Sequence, residues 1–193
     1  FASVLLLEDF PVFMSATQAP AESDVFIDMR WISCELCKTT RLAALPPVNA
    51  VYPHRHTEAI GDVWADHDRE FEAFVAHHAI PPIHGIQRTS MDRHQLTAPE
   101  FYTEPEGTLF HSHAMEHWRN PRAVQARISK SLQPGARVIF SIPDIDHLLS
   151  NGLLAPLNFE HTFHLSRSVV DRIMSESGFS LLTMERHRDH SLF

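Results

Sequence analysis

From Thr108 onward the chain alternates apolar runs with helix-period stretches, and this alternation limits the fold more than any other feature of the sequence. The run that starts at Thr108 ends in His111-Ser112-His113. Asn120 followed by Pro121 is a cap with a first-turn proline, and Val124, Ile128 and Leu132 then mark one face of a helix that Pro134-Gly135 ends. The run from Ala136 through Val138 to Ile142 reads as a buried strand. Ser166 caps a second helix through Val169, Val170, Ile173 and Met174, closed by Gly178. Phe179 to Met184 reads as a further strand. The order strand, helix, strand, helix, strand predicts an α/β fold with a mostly parallel sheet under covering helices. Such sheets bind ligands beyond the carboxyl ends of their strands, where His111 to His117 and Asp144 fall.

The first half is organised differently. Residues Phe1 to Pro53 combine prolines with short apolar runs and suggest a small loop-rich unit held by something other than a large core. Cys34 and Cys37, two residues apart, suit half of a tetrahedral metal site or a redox pair, and no thioredoxin-like pattern surrounds them. His54 and His56 are candidates to complete a metal site. From Gly61 the pattern turns helical. Trp64, Phe71, Phe74 and Val75 predict an amphipathic helix over Asp66 to His78 that Ile80-Pro81-Pro82 stops, with the aromatic residues as core. Pro81 to Pro105 shows no sustained period. The predicted units are 1–53 and 54–193.

Composition narrows the function classes. With 16 basic against 24 acidic residues and a net charge of −8, the chain lacks the basic footprint of a nucleic-acid binder. No apolar run approaches the ~20 residues a membrane span requires. The expectation is a soluble protein of a reducing cytoplasm, excerpted from a longer chain because Phe1 is not an initiator Met. The six glycines, Gly61, Gly85, Gly107, Gly135, Gly152 and Gly178, are too dispersed to build a phosphate-cradling loop.

The string Phe110-His-Ser-His113-Ala-Met-Glu116-His117-Trp-Arg-Asn-Pro121, the turn Leu132-Gln-Pro-Gly135 and the segment Ser141-Ile-Pro-Asp144 resemble the later motifs of class I S-adenosylmethionine-dependent methyltransferases. Asn158-Phe-Glu160-His161-Thr-Phe-His-Leu-Ser166 is similar to the Glu-His segment of the subfamily that C-methylates nucleotide-linked keto sugars. Those enzymes begin with a zinc module carrying two Cys-x-x-Cys pairs. Cys34-Glu-Leu-Cys37 resembles the second pair, while Tyr52 and Gly61-Asp-Val-Trp64-Ala-Asp-His67 resemble the linker.

The resemblance implies a Rossmann-like, mostly parallel methyltransferase sheet, incomplete here, preceded by a small loop-rich zinc-binding module. It implies S-adenosylmethionine as cofactor, a structural zinc held through Cys34 and Cys37, and a small-molecule acceptor such as a nucleotide-linked sugar. His161 would be the general base, Glu160 its neighbour or orienter, and His117 a second substrate-facing histidine. Tyr52, His113 and Glu116 would meet the cofactor. The family's acidic, glycine-rich cofactor loop has no counterpart between Phe74 and Glu106. Ala79 to Gly85 therefore reads as a junction where a βαβ unit of some 30 residues is missing. The first Cys-x-x-Cys is missing as well, and Asp189 to Phe193 stops inside the last strand pair. Weak or absent catalysis is the corresponding expectation. So are uncovered edges on the Val138 and Thr108 strands, open to pairing with another chain.

A C-methylating site needs a base beside a carbon made acidic by a neighbouring ketone, and histidine suits that at neutral pH. The residues alone leave alternatives. Glu160 and His161 could instead satisfy loop backbone groups. His111 and His113, two apart on a strand and so on one face, could with His117 form a metallohydrolase-like cluster, or His113 could line a cofactor pocket. Tyr52 could be a half-buried surface aromatic. The alternative to an enzyme is a non-catalytic remnant that serves as an interaction module.

Overall fold

Alternating burial, at Leu5 and Leu7 and at Met29 and Trp31, marks two long strands over Ala2–Pro11 and Phe26–Ser33, and a second set of short strands follows the helix-period region. The computed structural model describes residues 1–12, 19–52, 61–86, 106–188 and 190–193. In chain order the elements are β1 (Ala2–Pro11), β2 (Phe26–Ser33), β3 (Thr40–Leu42), α1 (Val48–Val51), α2 (Asp62–His78), β4 (Ile83–Ile86), β5 (Thr108–Ser112), α3 (Pro121–Ser131), β6 (Arg137–Pro143), α4 (Ile145–Ser150), β7 (Phe163–His164), α5 (Arg167–Glu176), β8 (Arg186–His187) and β9 (Ser191–Leu192). A single 3-10 turn, Met115–His117, lies between β5 and α3. None of the described helices is long and apolar enough to cross a membrane.

The fold is mixed α/β with two sheets. The first is antiparallel in the order β1, β2, β3, β7. The second runs β4, β5, β6, β9, β8. Its β4, β5 and β6 are parallel, while β9 lies antiparallel to both β6 and β8. Period-2 alternation divides this sheet's faces. Leu109, Val138, Phe140 and Ile142 pack with Val124 and Ile128 of α3 and with Val169, Val170 and Ile173 of α5. Phe110 and Ile139 pack on the other face with Phe71, Phe74 and Val75 of α2 and with Phe193. A Cβ at Gly85 would lie 2.4 Å from Cζ of Phe110, so a side chain there would have to displace that ring.

The α3 boundaries follow from local chemistry. Asn120 Oδ1 accepts from the Ala123 amide at 3.1 Å with Pro121 in the first turn, and Gly135 beyond the helix end takes a φ of +90°. Ser166 stands at the start of α5 but its hydroxyl meets Ser168 Oγ at 3.2 Å, so it occupies the cap position without bonding a helix amide.

Several expectations are corrected. The N-terminal segment is not a loop-rich unit: β1 and β2 form a long hairpin with its own core of Val12, Met29, Trp31, Leu42 and Val51, completed by Leu157 and Phe159 from the second half. Backbone pairing of Thr40 and Arg41 with His164 and Phe163 adds β7 to that sheet, and Trp31 stacks on His164 at 3.9 Å. Within Ala79 to Gly85, the segment read as a junction where a βαβ unit is missing, β4 begins at Ile83 and pairs with β5. Phe179 to Met184 is not a strand. It finds no ladder partner, and Leu181 and Leu182 remain 60% and 72% exposed. Pairing begins only where Glu185 and Phe193 exchange backbone hydrogen bonds. The Thr108 strand has no open edge, because β4 and β6 flank it. The Val138 strand is covered by β5 on one side but by β9 only at Ile142 and Pro143. Beside its remaining edge lies a cavity of about 740 Å³, walled by α5 and residues 179–184.

Candidate functional site

The site forms where three separated segments meet beyond the carboxyl ends of β5 and β6. The first is the turn after β5. His113 leaves the strand with a φ of +45°, its amide held by the Ser141 carbonyl at 3.0 Å, and the buried Met115 anchors the 3-10 turn that presents Glu116 and His117. The second is the loop 156–162. Asn158 Oδ1 accepts from the amides of both Glu160 and His161 at 2.9 Å, an Asx-type turn that fixes the pair. The third is Tyr52, just beyond α1, in a segment held by the Arg119 guanidinium on the carbonyls of Leu45 and Pro46. Thr162 joins the first two segments, donating to the Glu116 carbonyl from its amide at 2.8 Å and to the Trp118 carbonyl from its hydroxyl at 2.6 Å.

Five of the residues singled out in the sequence therefore converge. The Nδ1 of His117 lies 3.1 Å from the Glu160 carbonyl and 3.2 Å from Tyr52 Oη. A carbonyl can only accept, so Nδ1 carries the proton and the Nε2 lone pair is left toward the site. The same logic holds for His161, whose Nδ1 donates to the Pro156 carbonyl at 3.1 Å. The two imidazole rings stand 5.1 Å apart, and the Glu116 carboxylate is 4.0 Å from His117 Nε2. Ligand atoms of Glu116, His117 and His161 all lie within 4.8 Å of one another.

Burial governs the protonation states. Desolvation pushes His117 down to about 4, against the opposing pull of Glu116, and lowers His161 for the same reason, so both rings are neutral at pH 7. The Tyr52 phenol is raised well above its usual range, by burial first and then by the charges of Glu160 and Glu116, and stays a protonated donor. Glu116 is 2% exposed. Oε1 accepts from His113 Nδ1 at 3.0 Å, and among the described residues Oε2 has no hydrogen-bond partner.

His113 thus holds the carboxylate from behind, while its Nε2 meets Ser191 Oγ at 3.0 Å and its ring packs on Trp64 and His67 of α2. His111 does not join it. The strand ends at Ser112, so the turn at His113 aims that ring at α2, whereas His111 stays on the opposite face against Trp118 and Phe140. The alternative cluster of His111, His113 and His117 does not form; the ligand-bearing side chains that converge are Glu116, His117 and His161. Asp144, also at a strand end, is engaged in capping α4 at His147 and in an ion pair with Arg186 at 2.6 Å. Asn158 and Thr162 carry positioning roles that the sequence reading left unassigned. Asn158 was detectable as a turn-forming residue two and three positions before the bonded amides.

Cys34 and Cys37 lie apart from this site, on the turn between β2 and β3. Cys34 receives the Lys38 amide at 2.8 Å, and its own amide donates to Thr39. Both thiols are free. They offer two sulfur donors of the four a closed zinc site takes, and among the described residues no third ligand joins them. His54 and His56 lie outside the described residues. Hydrogen bonds from Thr39, aided by Cys34 and by the Arg172 charge, bring the Cys37 thiol down to about 7. Half of it is then thiolate at pH 7. The lower intrinsic nucleophilicity of a low-pKa thiolate offsets much of this gain, so iodoacetamide should alkylate Cys37 roughly fivefold faster than an unperturbed thiol of pKa 9. Mass mapping of the alkylated chain checks this, and a rate equal to the reference thiol would contradict it.

No protein-family model matches this chain, and no curated protein matches it in sequence.

Proposed function

We propose that this chain carries the acceptor side of an S-adenosylmethionine-dependent C-methyltransferase site, in which His161 removes a proton from the carbon beside the ketone of a nucleotide-linked sugar. One observation carries the reading: Tyr52, Glu116, His117, Glu160 and His161 come together from three segments at the carboxyl ends of parallel strands. The parallel β4, β5 and β6, with α3 crossing between the last two, support a Rossmann-like reading of the second sheet.

The orphaned Oε2 of Glu116 fits a positively charged group such as a sulfonium, and Tyr52 and Glu116 would face the cofactor, with His113 holding the carboxylate from behind. When bound, the cofactor supplies an electrophilic methyl. The rest belongs to the chain. His161 Nε2 accepts the acceptor's proton, and its Nδ1–H bond to the Pro156 carbonyl keeps that lone pair aimed. The carboxylate of Glu116 stabilises the imidazolium that forms, as its raising influence on His161 indicates.

The test is exchange followed by transfer. In D2O the chain should exchange the proton beside the ketone of a nucleotide-linked keto sugar, while movement of labelled methyl from S-adenosylmethionine to that carbon should be weak, because the glycine-rich cofactor loop has no counterpart in the sequence. Absence of both proton exchange and calorimetric cofactor binding would overturn the reading in favour of a non-catalytic interaction module.

A further inference from the structure

We infer that Glu116, His117 and His161 form a binding site for a divalent transition-metal ion with the preferences of zinc. Three features argue for it. The first is the donor set. Two imidazole nitrogens and one carboxylate, all within 4.8 Å of one another, match the ligand types of open zinc sites that keep one position for water or substrate. A tetrahedral ion with bonds of about 2.0–2.2 Å sets its ligands roughly 3.3–3.5 Å apart, so small side-chain rotations suffice. Glu116 Oε1, the oxygen that His113 also holds, lies 4.0 Å from His117 Nε2, and the orphaned Oε2 is the carboxylate's free donor.

The second feature is the support behind each ligand. Metal-binding histidines donate their other ring N–H to a carbonyl or carboxylate, which fixes the tautomer. His117 does so to Glu160 and His161 to Pro156, each at 3.1 Å, and the carboxylate is itself held by His113 at 3.0 Å. Both Nε2 atoms therefore present lone pairs without any rearrangement of the loops. The third feature is an unmet need. Glu116 Oε2 is buried and, among the described residues, has no hydrogen-bond partner, a costly state for a carboxylate oxygen that a cation would relieve. The imidazole pair disfavours magnesium or calcium, which prefer oxygen ligands.

The ion and a deprotonating His161 exclude one another, because both need the same Nε2 lone pair. Inhibition of methyl transfer by micromolar zinc follows, and that consequence alone rests on the proposed activity; the cation site does not.

The experiment uses the full chain with Cys34→Ser and Cys37→Ser, without methyl donor or acceptor, titrated with Co2+ and then Zn2+. We expect one ion per chain, visible as Co2+ visible-region absorption and displaced by Zn2+. Glu116→Gln and His161→Gln should each weaken it at least about tenfold, while His77→Gln with His78→Gln, in the last turn of α2, should leave it unchanged. Absence of stoichiometric binding, or equal binding in the Glu116 and His161 variants, overturns the site. Should either variant fail to fold, X-ray absorption of the zinc-loaded Cys-free chain decides: two imidazoles and an oxygen uphold it, and any shell lacking two imidazoles overturns it.

Discussion

Replacing His161 by Gln should lower methyl transfer by about 10²–10⁴-fold, the range that a positioned general base contributes. The loss should appear first in proton exchange. With His161 absent, the proton beside the ketone is no longer removed, so exchange into D2O falls in parallel with transfer while calorimetric cofactor binding holds. A residue acting only through His161 should behave differently. Asn158 fixes the His161 and Glu160 amides through one oxygen, at 2.9 Å to each. Asn158→Ala should therefore lower kcat with little change in KM, and Asn158→Asp, which keeps that acceptor, should restore most of it. Undiminished exchange in His161→Gln would remove His161 from the base role, whatever Asn158 does.

The site was legible in the sequence where it is carried by short, local patterns. Glu116-His117 and Glu160-His161 each sit on a turn whose geometry is set within a few residues, so their pairing needed only the two turns to meet. What the sequence did not disclose is the clamp that makes them meet, the Thr162 bonds to the Glu116 and Trp118 carbonyls, because such contacts span more than forty residues. The reading of His111 and His113 as one face failed for a local reason. Strand alternation holds only while the strand continues, and the left-handed turn at His113 ends it one residue after Ser112.

In the N-terminal half the β1 and β2 strands were missed because their core is completed from elsewhere in the chain. Leu157 and Phe159 cover the hairpin and β7 extends its sheet, so the local apolar runs looked too short to make a core alone. The β4 strand was hidden by its length of four residues and by the prolines before it. Phe179 to Met184 shows the reverse. Its composition favours a strand, but β propensity is realised only against a partner, and β9 pairs with β8 and the end of β6 instead.

His111 sets the second large expectation, which concerns stability. Its ring is fully buried against Phe140, at 5.3 Å and 13° between planes, and neither ring nitrogen finds a hydrogen-bond partner among the described residues. Burial, and secondarily the charge of His113, push it down to about 3. The sign follows from linkage. Above pH ~6.5 the ring is neutral in both folded and unfolded chains. Below that, the unfolded chain takes up a proton that the folded chain refuses until about pH 3, so stability falls across this window. Each such histidine contributes a slope of about 1.4 kcal/mol per pH unit. His117 and His164, both at about 4 through burial, add to it with the same sign. Three groups give about 4 kcal/mol per unit, enough to consume a typical stability of roughly 5–15 kcal/mol within a few pH units below 6.5. His111→Phe keeps the stack on Phe140 and removes both orphaned nitrogens. It should stabilise the chain by about 1–3 kcal/mol at pH 7 and flatten the acid slope by one proton. Urea unfolding at pH 7.0 and 5.5, with His111→Leu as a smaller apolar control, measures both quantities. A slope unchanged in both variants would show that His111 finds a partner or a proton in the folded state, and its burial would then have to be explained by that partner.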